Sequence, residues 1–273
     1  MEDAIKREQV HEQDLERLRS FRPIDDTFMR RLFKNNIELA QLVLRIILDK
    51  PDLKVTSVET QVDMKRVTGA RSLCLDAEAV DSENKKYDIE VQKASSGARP
   101  KRARYHSSVM DVENLDANQD FEDLPETYVV FITEHDIYKQ GKPYYLIERM
   151  NFTTGEPFED DTHILYVNSD YSGNDDFGKL MHDFKCSNPD DMHFDLLRER
   201  SKYYKESKEG VAEMCQIMED MREETRKANT REVTLKHIQD IMENFKVTAE
   251  AAMNVLHIAK EEQIIYMGML PKA

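Results

Sequence analysis

No apolar run in the 273 residues approaches the roughly 18–20 consecutive residues that a membrane span needs. The opening MEDAIKREQVHEQD also lacks the apolar core of a signal peptide, so the sequence predicts a soluble, cytoplasmic chain. Cysteine is scarce: Cys74, Cys186 and Cys215 lie far apart and form no CxxC pair. That excludes a disulfide framework and points to free thiols in a reducing compartment. Positive charge is short as well. A net charge of -15 and a pI near 5.1 exclude adhesion of the whole surface to nucleic acid, so any such contact must be local. There is no Walker A loop, GxGxxG fingerprint or GxSxG elbow, which leaves nucleotide-cofactor and serine-hydrolase readings without support. Internal repeats and low-complexity tracts are missing, and the absence of tryptophan excludes nothing.

What is present falls into three stretches. Residues 2 to about 20 are densely charged with both signs, the pattern of an exposed helix or frayed arm. After Pro23, Phe28, Leu32, Leu39, Leu42, Val43, Ile46 and Ile47 fall at helical spacing, with Asp25 placed as N-cap. From Val55 the period changes to that of strands: VTSVETQVDM, RSLCLDAEAVD and KKYDIEVQKA are separated by polar turns and predict an antiparallel run. A basic helix is expected over about Arg99 to Leu115. TYVVFITE holds a continuous apolar run, as a central strand buried on both faces would. PYYLIERMN follows Gln140-Gly141-Lys142 and is expected to be its hairpin partner, and HILYVNS gives a further strand. Beyond Phe177 the chain is helical, closing in a hairpin with Ile238, Ile241, Met242, Phe245, Val255 and Leu256 as its apolar seam. The predicted architecture is α+β or α/β, a mixed sheet of about five strands flanked by helices.

The chemistry concentrates in two strands. In YDIEVQK the period of two sends Asp88, Glu90 and Gln92 to one face and Ile89 and Val91 to the other. In LCLDAEAV it groups Asp76 with Glu78 in the same way. Joined by a short turn, the two strands would lie about 5 Å apart and could aim Asp76 and Glu90 at one point. Carboxylates that converge repel unless a cation joins them or one is protonated, and an oxygen-rich set with little histidine selects Mg2+ or Mn2+. Such an ion lowers the pKa of a bound water and offsets charge on a phosphate. Alternating acids are also common on solvated strand faces, so spacing leaves both readings open. Nearby, Lys93, Arg99, Lys101, Arg102, Arg104 and His106 form a basic run without an acid. It suits a phosphate clamp, and equally a helix paired with the acid-rich 111–126 stretch.

LDAEAVDSENKKYDIEVQ, RARYHSSVMD and TYVVFITEHDIYKQGKPYYLIERM, in this order behind DDTFMRRLF, resemble the PD-(D/E)xK nuclease family transposases, also called the Rpn or recombination-promoting nuclease family. The resemblance covers about Phe21 to Tyr204. It implies a restriction-endonuclease-like core over 21–195, which with the charge and helix patterns above leaves a charged arm or helix over 1–20 and a helical region over 196–273. It implies catalytic roles for Asp76, Glu90 and Gln92, and a divalent ion, Mg2+ or Mn2+, on Asp76, Glu90 and the Val91 carbonyl. Gln92 stands where many of these proteins carry a lysine; its amide can orient water or phosphate but carries no charge. Lys93 is adjacent and is a further candidate to replace that lysine, although its side chain is expected on the opposite strand face. Asp25 and Glu38, and equally Asp26, are further candidate acids, read otherwise as an N-cap and solvated helix positions. Arg104 and Tyr105 match the family helix and join Arg99, Lys101 and Arg102 as candidate DNA contacts.

The expected function is therefore a magnesium-dependent endodeoxyribonuclease linked to mobile-element recombination or defence. The alternative is a nuclease fold without turnover that binds or regulates through homo-oligomers or a protein partner, and action on RNA is a third reading. DYSGNDDFGKLM lacks the Gly and Glu of an EF-hand loop, with Asp175 and Met181 in their places. His182, Cys186 and His193 fit no structural zinc spacing and are read as packing or solvated residues, and Met214, Met218 and Met221 as helix packing.

Overall fold

The computed structural model describes residues 2–64 and 73–270, with the side chains of residues 2–9 and of Ser95 and Ser96 left aside. The chain divides into two compact units, Met1–Val211 and Ala212–Ala273. In the first, α1 (Glu2–Ser20), α2 (Asp26–Phe33) and α3 (Ile37–Leu48) lead into β1 (Val55–Met64), β2 (Leu73–Asp81) and β3 (Lys86–Gln92). Then come α4 (Pro100–Asn114), β4 (Thr127–Thr133), β5 (Tyr144–Ile147), the short pair β6 (Met150–Asn151) and β7 (Glu156–Pro157), β8 (Thr162–Asn168), α5 (Asp176–Lys185) and α6 (Asp195–Glu206). The sheet has six strands in the order β1-β2-β3-β4-β8-β5. β1, β2 and β3 pair antiparallel, as their spacing predicts, while β4 runs parallel to both β3 and β8.

The continuous apolar run of β4 has the expected consequence: all seven of its residues are buried. The hairpin expected between β4 and β5 does not form, because both edges of β4 are taken by β3 and β8; β5 pairs with β8 at the sheet edge, where Tyr144, Leu146 and Ile147 stay exposed. The charged N-terminal segment is a helix rather than a loose arm, and Asp14 and Leu18 in it are buried.

Register assigns the faces. Asp88 and Glu90 stand beside Val129 and Phe131, which stand beside Ile164 and Tyr166. α4 packs on this face: Ala103 and Met110 share a core cluster with Val129, Phe131 and Tyr166. The other face carries Tyr87, Tyr128 and Val167. Phe177 of α5 meets Tyr144 there, and Lys50 after α3 reaches the Tyr128 hydroxyl at 2.9 Å. The acids of β3 thus lie beneath α4, inside the apolar frame that α4 and β4 build.

In the second unit α7 (Lys208–Phe245) begins before the boundary and is followed by α8 (Ala249–Val255) and α9 (Lys260–Met269). Ile238, Ala252, Met253 and Tyr266 form its buried cluster, joined by Ile241, Met242 and Leu256. Phe245 and Val255, expected in that seam, are exposed: Phe245 ends α7 and Val255 ends α8, where the helical face that packs runs out. Met214 and Met218 are buried and Met221 is exposed. Among the described residues no helix is long and apolar enough to cross a membrane.

Phe131 joins the frame to the site, stacking on Tyr166 at 5.8 Å and meeting the His106 ring edge-on at 5.4 Å. Phe131→Ala is expected to cost roughly 3–5 kcal/mol and to lower Tm by about 10 °C in thermal unfolding. A cost below about 1 kcal/mol would mean that α4 does not depend on this strand.

Candidate functional site

Four acids crowd one face of β2 and β3. Glu78 stands opposite Asp88 in the register, and one step along, the Asp76 backbone N–H donates to Glu90 Oε1 at 2.9 Å. Asp76, Asp88 and Glu90 are all buried. Burial removes the water that would solvate their charges, so each carboxyl is held above its ordinary range. Asp76 is pushed up to about 7 by burial and then by the charge of Glu90. Glu90 is also pushed up to about 7, by burial and then by Asp88. Asp88, fully enclosed, is raised well above its usual value, and its Oδ1 is a buried oxygen without a hydrogen-bond partner.

Two arginines answer this charge. Arg30 of α2 places both Nε (2.9 Å) and Nη2 (2.8 Å) on Asp76 Oδ1, and its Nη2 also meets Asp26 Oδ1 at 2.7 Å. Arg102 of α4 reaches Glu90 Oε2 at 3.2 Å through Nη2, and its Nε donates to His106 Nε2 at 3.2 Å. A ring nitrogen that accepts from arginine carries no proton, so the His106 proton sits on Nδ1 and is donated to Asp88 Oδ2 at 2.6 Å. Burial lowers the pKa of His106, in keeping with a neutral ring. The ligand atoms of Asp88, Glu90 and His106 all lie within 4.8 Å of one another, a group that can hold a metal ion. Asp76 is outside that group. The orphaned Asp88 Oδ1 and the raised carboxyls fit a cation, because a divalent charge would relieve both.

Of the residues singled out in the sequence, the structure brings Asp76, Glu90, Gln92 and Arg102 together. Gln92 Nε2 faces Glu90 Oε2 at 3.4 Å. Its Oε1 lies so close to Gly97 that a Cβ there would come within 1.8 Å, so glycine leaves the space the amide occupies. The Val91 side chain is buried on the far side of β3 beside Ile132. Lys93 turns away and binds Asp25 Oδ1 at 2.7 Å. Asp25 does occupy the N-cap of α2 but makes no side-chain cap bond; its Oδ2 accepts the Arg22 N–H at 2.7 Å instead. Glu38 is exposed in the first turn of α3, and Arg99, Lys101 and Arg104 are exposed at α4, where Tyr105 is half-buried.

Sequence reasoning missed Arg30, and it named Asp88 and His106 without giving either a role at the site. Arg30 carried no signal, since its partner is 46 positions away. Asp88 shares the parity of Glu90, which was visible. His106 lies one helical turn from Arg102 on the apolar face of α4, a spacing that could have marked it. A second close group, His182, Asp183 and His193, also brings its ligand atoms within 4.8 Å of one another, and its acid has a structural task. The Asp183 carboxylate accepts the N–H groups of His193 and Phe194 at 2.8–2.9 Å and so starts α6. Cys186 turns to the Asn188 carbonyl, and the EF-hand-like segment is an ordinary helix start, with Asp175 capping Gly178.

No curated protein and no solved structure matches this chain. A family profile does match, over residues 23–250, from α2 into α8 and thus past the stretch that carries the sequence resemblance. With an acid pair on adjacent strands beneath an arginine-bearing helix, and with that profile covering most of its length, the chain belongs to the PD-(D/E)XK nuclease family transposases.

Proposed function

We propose that this protein is an endonuclease that hydrolyses DNA phosphodiester bonds with Mg2+ or Mn2+ on Asp76 and Glu90. The observation that supports the reading is that Asp76 and Glu90 are buried on neighbouring strands, joined by the Asp76 N–H to Glu90 Oε1, both carboxyls pushed up to about 7, with the orphan oxygen of Asp88 on the same face. Asp76, Glu90 and the Val91 carbonyl would hold the ion, with Asp88 close enough to share the load. When bound, it would lower the pKa of a coordinated water and offset charge on the phosphate.

The chain's own groups do the rest. Both bonds from Arg30 fall on Oδ1 of Asp76, which leaves Oδ2 as the oxygen to face an ion. Gln92 has an amide N–H to orient the attacking water, and Asp88, through His106, steadies the helix that covers the site. In the net reaction one water adds across a P–O bond: its oxygen joins phosphorus, one of its protons ends on the leaving oxygen, and the broken strand carries a phosphate. DNA would approach along the exposed basic side of α4, where Arg99, Lys101 and Arg104 face solvent. The grip of Arg30 on Asp76 favours a second reading, in which that arginine stands in for the metal and the fold binds a partner without turnover.

A plasmid-nicking assay with Mg2+ or Mn2+ separates the two. Wild type is expected to nick, and Asp76→Ala or Glu90→Ala to lower the rate at least ~100-fold. Cutting that survives both substitutions would place the chemistry elsewhere.

A carboxyl raised in the folded state binds more protons than it does unfolded, so its contribution weakens as pH rises from about 4 to about 7 and is level above that. Metal-free protein is therefore expected to melt lower at about pH 8 than at about pH 5, with Mg2+ recovering more Tm at the higher pH. Asp76→Asn should flatten the dependence, whereas equal metal shifts at the two pH values would contradict the assignment.

A further inference from the structure

Attack on a phosphodiester loads negative charge onto the phosphate oxygens, and positive groups aimed at that charge supply much of the rate. Gln92, the strand residue turned toward Glu90, is neutral. Lys93, its neighbour, is bound to Asp25. Arg30 is half-buried and has its guanidinium held between Asp76 and Asp26. Arg102 is different. Its side chain is 41% exposed, and its Nη2 rests on the same Glu90 oxygen that Gln92 faces. Its bonds to Glu90 and His106 use two of the five guanidinium N–H groups, so three are left for a ligand at the open side. The direction of the fork is fixed from below: Asp88 fixes His106, His106 accepts from Arg102 Nε, and His106, Asp88 and Glu90 are all buried. A planar fork held at one end and open at the other suits the paired oxygens of a phosphate.

Resting on the nuclease reading, we propose that Arg102 is the cationic phosphate-binding residue of the site, aimed by His106. It supplies from a helix the charge that Gln92 does not supply from the strand. It donates hydrogen bonds to the phosphate as the water oxygen–phosphorus bond forms and the leaving P–O bond breaks, and it transfers no proton. His106 is a positioning residue that acts through Arg102.

The test uses the full chain on supercoiled plasmid with Mn2+. Arg102→Gln is expected to lower kcat/KM about 100-fold while leaving Tm within about 2 °C of wild type. Adding Gln92→Lys should restore at least about a tenth of the lost rate, because the charge returns to the same Glu90 oxygen from the strand side. His106→Phe keeps a buried ring and loses the acceptor; it should also slow cutting, and Gln92→Lys should rescue it, which a purely structural defect would not allow. Binding measured with Ca2+ gives a second readout: the slope of log affinity against log salt should fall by about 0.9 in Arg102→Gln. Wild-type cutting and an unchanged slope in Arg102→Gln, alongside an inactive Asp76→Ala, would overturn the role of Arg102 alone. Failure of Gln92→Lys to rescue a folded Arg102→Gln would overturn it too. A wild-type chain that leaves the plasmid intact would overturn the nuclease reading and this role with it.

Discussion

The structure around the site depends on one register, that of β2 against β3. Glu78 opposite Asp88 puts Asp76 next to Glu90, and the Asp76 N–H reaches Glu90 Oε1 at 2.9 Å. A slip of one residue would send Leu75 and Ala77 to the acid face and bury the carboxylates among the apolar side chains behind the sheet. The alternation of the neighbours guards against that: Leu75, Ala77, Ala79, Ile89 and Val91 are all buried on the far face. The hydrophobic effect therefore fixes where the charges stand, although it contributes nothing to them directly.

Once the acids are fixed, electrostatics dictates what surrounds them. Buried carboxylates at this spacing cannot all ionise without opposing charge. The fold answers with Arg30 from one helix and Arg102 from another, and with a neutral His106 that occupies one oxygen of Asp88. The compensation is incomplete: Asp76 and Glu90 stay near 7, and one Asp88 oxygen is without a partner. A fold selected only for stability would do better with apolar residues here. The charge left unanswered is what a divalent cation, under the proposed function, would relieve.

Much of this was legible in the sequence because strand periodicity is local. Parity put Asp88, Glu90 and Gln92 on one strand face and Asp76 with Glu78 on the next, the short turn joined Asp76 to Glu90, and β4 was recognised by its unbroken apolar run. Pairing was legible where strands adjacent in sequence are also neighbours in the sheet. β2 and β3 follow one another directly, but β5 skips β4 to join β8, a choice made by which edges of β4 were already occupied. Charge partners were the least visible. Arg30 meets Asp76, and Lys93 meets Asp25, across 46 and 68 positions, and nothing in local spacing encodes such contacts. Arg102 was seen as one cation among several in a basic run; only the packing of α4 over β3 separates it from Lys101 and Arg104, which face solvent.

The most direct measurement of the central claim is a crystal structure of the chain grown with Mn2+, with the ion located by its anomalous signal. The expected result is one strong peak bridging the carboxylates of Asp76 and Glu90, with the Val91 carbonyl in reach and Arg30 drawn back from Asp76 or confined to Oδ1. A map in which Arg30 still covers the acid and no ion lies between β2 and β3 would contradict it.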